Sequence, residues 1–160
     1  MTQVLIIVFA LLIGVVAGLR ALTPPAAVAW GAFLGWLPVD GTWAQWVGHP
    51  VTVGVLTVLL IVELVTDQLP ATPSRKVPPQ FVARLVTGAF AGAVIGAGWH
   101  HTFLGIGAGM IGGVLGTLGG YEARSRLVAR NGGRDLPIAI TEDVVAVVAG
   151  FAVVALATVI

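Results

Sequence analysis

Two acidic pairs stand out in a chain with few charges. Glu63 and Asp67 are four apart in VELVTDQLP, which sets both carboxylates on one face of a helix. Glu142 and Asp143 are adjacent in ITEDVV, while Arg84 and Arg124 supply cations in other apolar or near-apolar stretches. Ionisable groups inside membrane spans are costly and mark binding sites or ion paths by default. Glu63 is the sharper candidate for a proton or cation site, because it lies deeper in its segment than Asp67. Glu63, Asp67 and Glu142 could also surround a hard divalent cation; no spacing is diagnostic of one, and no metal or cofactor is assigned. The competing reading is structural. Arg84 or Arg124, paired with Glu63, Asp67 or Glu142, would form a salt-bridge network that locks the bundle.

Arg20 suggests different chemistry. It precedes Ala-Leu-Thr-Pro-Pro, and prolines 24 and 25 suit the first turn of a helix. With Thr23 as N-cap, that helix start and the guanidinium would hold an anion or a phosphate headgroup. An arginine at a helix end also snorkels to the interface without any ligand. His100 and His101 read as exposed turn residues. Hydrolase chemistry lacks parts: the only serines are Ser74 and Ser125, cysteine is absent, and no Gly-x-Ser-x-Gly or His-Glu-x-x-His occurs. The chain is therefore read as a non-enzyme.

The elements that carry these residues are apolar spans. Of 160 residues, 58% are hydrophobic and 9% charged, against about 25% charged in soluble domains. That inventory cannot build a water-facing surface, and a net charge of +1 gives no basic face for nucleic acid. Spanning helices need roughly 20 apolar residues. Thr2–Leu22, Pro50–Thr66, Gln80–Gly98, Phe103–Gly120 and Pro137–Val159 approach or meet this length. Pro24–Leu37 is too short and reads as a re-entrant half-helix in the outer leaflet. The first stretch, followed by Ala27-Val28-Ala29, resembles a signal peptide but has no basic start, so it is kept as a span.

The expected fold is an all-α polytopic membrane protein forming one domain over residues 1–160. It has about five transmembrane helices plus the half-helix. Basic residues concentrate in inner loops. With the N-terminus cytoplasmic and the C-terminus outside, seven of the eight Lys and Arg fall inside, including Arg75, Lys76 and the 124–134 loop. Arg20 is the exception. All five Trp fall outside, and making 24–37 a full span would scatter this pattern. The expected location is a bacterial inner membrane.

An internal repeat is weaker. Gly14–Ala27 aligns without gaps with Gly116–Ala129, sharing Gly, Gly, Ala and Ala. Three crossings between the copies would make them inverted, as in many transporters, with halves at 1–76 and 77–160. Chance similarity of two Gly-rich helices explains the match equally well. The eight glycines of residues 105–120, with Gly88, Gly92 and Gly96 before them, allow close helix packing within one chain or in a homodimer.

The runs GLRALTPPAAVAW, VELVTDQLPATPS, FVARLVTGAFAGA and LPIAITEDVVAVVAGFAVV together resemble a bacterial membrane-protein family, domain of unknown function 4126. The resemblance implies that Arg20, Glu63 with Asp67 and Pro70, Arg84, and Glu142 with Asp143 are the family's characteristic positions. It implies no activity. The expected function is a small transporter or channel for a small ion or phosphate-bearing anion. Arg20 and Thr23 would bind the anion, Glu63, Asp67 and Glu142 a coupling proton or cation, and Arg84 and Arg124 would hold the carboxylates beside Asp143. Its partners would be the lipid bilayer, that substrate and a second copy of the chain, not nucleic acid. The alternative is a non-transporting scaffold or partner subunit.

Overall fold

The computed structural model describes residues 2–68 and 77–159. Pro70, Ser74, Arg75 and Lys76 lie outside them. Every regular element among the described residues is a helix, with no strand: α1 (Gln3–Leu19), α2 (Thr23–Phe33), a 3-10 turn (Gln45–Gly48), α3 (Pro50–Thr66), α4 (Pro78–Ala97), α5 (Thr102–Arg130) and α6 (Leu136–Leu156). Helices α4, α5 and α6 are long and apolar enough to cross a membrane; α1 and α3 are shorter apolar helices. The chain is thus a membrane protein.

Local chemistry sets the helix starts. α2, α3, α4 and α6 each carry proline in the first turn, where the missing N–H costs nothing and the fixed φ suits the helix. α5 runs on to Arg130, well past Gly120, where the apolar stretch ends. Its extension, YEARSRLVAR, is rich in helix formers and gains an Arg126–Glu122 pair one turn apart at 2.8 Å. Asn131 and two glycines stop it. Gly132 and Gly133 take positive φ, and the Gly133 N–H returns to the Val128 carbonyl.

Glycine contacts fix the directions of the helices. Gly14 of α1 faces Gly109 of α5, and Gly18 faces Gly116 and Thr117, so α1 and α5 run the same way. Gly88, Gly92 and Gly96 of α4 face Gly109, Gly105 and His101, so α4 runs opposite. α1, α4 and α5 pack mutually, α6 lies against α1 and α2, and α3 is peripheral, against α2. The glycine motifs that would have served a dimer are thus used within the chain, where the absence of Cβ lets backbones meet.

This arrangement corrects two expectations. α2 does not turn back to its own side. It leaves the end where α1 finishes and runs towards the residues 34–49 segment, which packs beside the α4–α5 turn through Gly98–Pro38 and Trp43–Thr102 contacts. Gln3 and Leu156 consequently lie at one end of the bundle, not at opposite ends. Arg20 shares the other end with Arg84, Arg124, Arg126, Arg130 and Arg134. With α2 running this way, every described Lys and Arg lies at one end of the bundle, with the Trp side chains towards the other. The proposed repeat copies are also not inverted. Residues 14–19 and 116–121 run parallel and touch, and α1 then breaks where α5 continues.

Because the chain has no cysteine, single cysteines can report the sides. Thr2→Cys and Thr158→Cys are expected to react alike with a membrane-impermeant maleimide in intact cells, with Arg130→Cys opposite to both. Opposite labelling of positions 2 and 158 would contradict their placement at one end of the bundle.

Candidate functional site

Between α1 and α2 the backbone of residues 20–22 is not helical. Nearby Asp143 and Arg84 lie about two turns into α6 and α4, about 10 Å beyond those helix starts. A break at such depth exposes the last carbonyls of one helix and the first amides of the next. In hydrocarbon each unsatisfied group costs several kcal/mol, so irregular backbone survives only when protein groups replace water.

Charged side chains supply those groups. Arg84, buried, donates from Nη1 to the Gly18 carbonyl at 3.0 Å and, more weakly, to Ala17 at 3.5 Å, closing the end of α1. Both oxygens of Glu63 accept backbone N–H groups at the α2 start, from Ala21 at 2.7 Å and Leu22 at 2.8 Å. Prolines 24 and 25 have no N–H to leave unsatisfied. A carboxylate at a helix N-terminus also meets the positive end of the macrodipole. Glu63 therefore does what Thr23 was expected to do. Thr23 lies inside the first turn rather than at the cap, and its buried Oγ1 has no hydrogen-bond partner among the described residues.

Arg20 is 1% exposed and lies at the centre of the cluster. Its Nε and Nη2 meet Asp143 side-on, and Nη1 meets Asp67 at 2.6 Å. Asp67 also lies 3.9 Å from Arg84 Nη2, and Gln68 donates to the second oxygen of Asp143 at 3.1 Å. Five ionisable residues from α1, α3, α4 and α6 and their ends thus converge on one break: Arg20 and Arg84 against Glu63, Asp67 and Asp143. The set carries one carboxylate more than its cations when all are ionised.

Arg124 and Glu142 stand apart from it. Arg124 pairs with both oxygens of Asp135 at 2.9 and 2.7 Å and with Glu142 at 3.3 Å, tying the end of α5 to the start of α6. Glu142 and Asp143 point to different clusters because neighbours on a helix differ by about 100°. Sequence reasoning missed Gln68 and the role of Asp135. The available signals were a second polar residue beside Asp67 and an acid just before the α6 proline.

No curated protein and no solved structure matches this chain. A family model described as domain of unknown function 4126 matches residues 7–160, which take in the whole charged break. The chain belongs to that family.

Proposed function

We propose that this protein is a small membrane transporter or channel, with the break between α1 and α2 as its substrate site. The observation that carries the reading is a helix interruption at depth that gathers two guanidiniums and three carboxylates. Interrupted helices of this kind hold substrates and coupling ions in secondary transporters. Glu63 already rests where an anionic group would bind, on the Ala21 and Leu22 amides. A proton taken up by Glu63 would loosen that contact and free the amides beside Arg20 for a small or phosphate-bearing anion. Proton and anion would then be exchanged at one place. The basic end faces the cytoplasm by the positive-inside rule, in a bacterial inner membrane, with Gln3 and Leu156 towards the other side.

One observation favours a second reading, a scaffold with a purely structural network. Arg20, Glu63 and Asp143 already have partners within the chain, and the cluster closes both helix ends. Transport is tested by currents from wild-type proteoliposomes on a solid-supported membrane under proton, cation and anion jumps. A transient above that of protein-free liposomes is expected, and the jump that evokes it names the ion class. Silence under every jump would remove electrogenic transport and favour the scaffold.

A further inference from the structure

The helices α5 and α6 are joined by only residues 131–135, yet they diverge. α5 lies chiefly on α1 and α4, whereas α6 lies on α1 and α2. The wedge between them is a cleft of about 210 Å³ with almost wholly apolar walls, among them Leu19, Ala123, Leu127 and Val145. Arg124 and Glu142 also line it. Ala123, Leu127 and Val145 are exposed in this open groove, and the filler that an apolar groove between membrane helices meets is a lipid chain.

Charge narrows the choice of lipid. Arg124 is already shared by Asp135 and Glu142, and Arg126 is paired with Glu122. Arg130 and Arg134 are exposed and have no ion pair among the described residues. Arg130 follows Leu127 by about one turn of α5, and Arg134 belongs to the connection that joins the two walls. Arg130 shares the face of α5 that carries cleft-lining Ala123 and Leu127, so the basic groups nearest the cleft in the chain are two arginines available to a phosphodiester.

We propose that this cleft binds an anionic phospholipid, with one acyl chain between α5 and α6 and its phosphate held by Arg130 and Arg134. The site is separate from the charged break but adjacent to it. Cleft-lining Leu19 and Glu142 immediately precede Arg20 and Asp143 in the chain. The proposal does not depend on transport.

The test is native mass spectrometry of the purified full chain with phosphatidylglycerol or phosphatidylethanolamine of identical chains. Both headgroups carry the phosphodiester, but the ammonium of phosphatidylethanolamine repels the two arginines, so wild type is expected to retain phosphatidylglycerol up to about thirty-fold better, at about 1 kcal/mol per cation. Arg130→Gln with Arg134→Gln should bring the two lipids near parity at an unchanged melting temperature. Ala123→Leu, which fills the cleft, should release both. Since filling the cleft can itself disturb folding, a second readout uses wild type alone. Phosphatidylglycerol with a photoreactive acyl chain should label residues 120–127 and 138–145 above the lipid-facing surface of α3. Equal retention of the two lipids by wild type, or labelling spread evenly over α3, would overturn the proposal.

Discussion

Replacing Arg20 by Met is expected to destabilise the folded protein by about 3–5 kcal/mol, the usual cost of removing one partner from a buried ion network. The cause is what remains. Asp67 and Asp143 approach Arg20 from α3 and α6, and both would keep a charge with its principal cation gone. Arg84 is 3.9 Å from Asp67 and is already bonded to the end of α1, so it compensates poorly. Adding Asp67→Asn and Asp143→Asn to Arg20→Met should restore much of the loss, because a neutral polar cluster costs less than unpaired carboxylates. Arg20→Lys should fall between, since an ammonium cannot present the guanidinium's fork to Asp143 and Asp67 together. Unfolding midpoints in mild detergent decide this. An unchanged midpoint for Arg20→Met would mean that the charges are not buried against one another.

Gly109→Ala and Gly112→Ala are expected to cost about 3 kcal/mol each, at the upper end of ordinary overpacking. A Cβ on Gly109 would lie 2.1 Å from the Gly88 carbonyl oxygen, and one on Gly112 equally close to that of Leu11. Both obstacles are backbone, so no side chain can rotate away and whole helices must part. Gly107→Ala and Gly119→Ala on the same helix provide the contrast. Their Cβ positions meet nothing within 4 Å, and alanine gains up to about 1 kcal/mol of helix propensity there. Melting the four variants side by side should separate them into two damaged and two unharmed. Four similar midpoints would contradict the close packing of α1, α4 and α5.

Much of this site was legible in the residues. Apolar run lengths gave the helices, the proline pairs gave the start of α2, and charges inside apolar runs pointed to Arg20, Glu63, Asp67, Arg84 and Asp143. The direction of α1 was not legible. An apolar helix reads the same in both directions, and an eleven-residue helix such as α2 can either turn back or carry the chain across. The misread clue was Arg20 itself. As the single exception to the basic-side pattern, it points in the sequence to an anion site on the far side. Reversing α1 removes the exception and delivers Arg20 to Asp67 and Asp143. Partner choice was also beyond the sequence. Four-residue spacing put Glu63 beside Asp67, yet backbone amides freed by the break hold Glu63 while Arg20 holds Asp67. Which of two neighbouring acids, Glu142 or Asp143, faces the core depends on the rotation of α6, which its nearly uniform apolar surface does not encode.

Under the proposed function the charged break moves ions as well as holding helices. Glu63→Gln separates the two roles, because glutamine keeps one carbonyl for the α2 amides while losing the charge and the exchangeable acid. Current and melting temperature should be measured on the same preparation of this variant. A lowered melting temperature is expected, because one of the two α2 amides loses its acceptor, together with complete loss of the ion-evoked current in protein still folded at the assay temperature. A current that survives, or a collapse in stability matched by a proportional loss of current, would contradict that function and leave Glu63 as a helix cap alone.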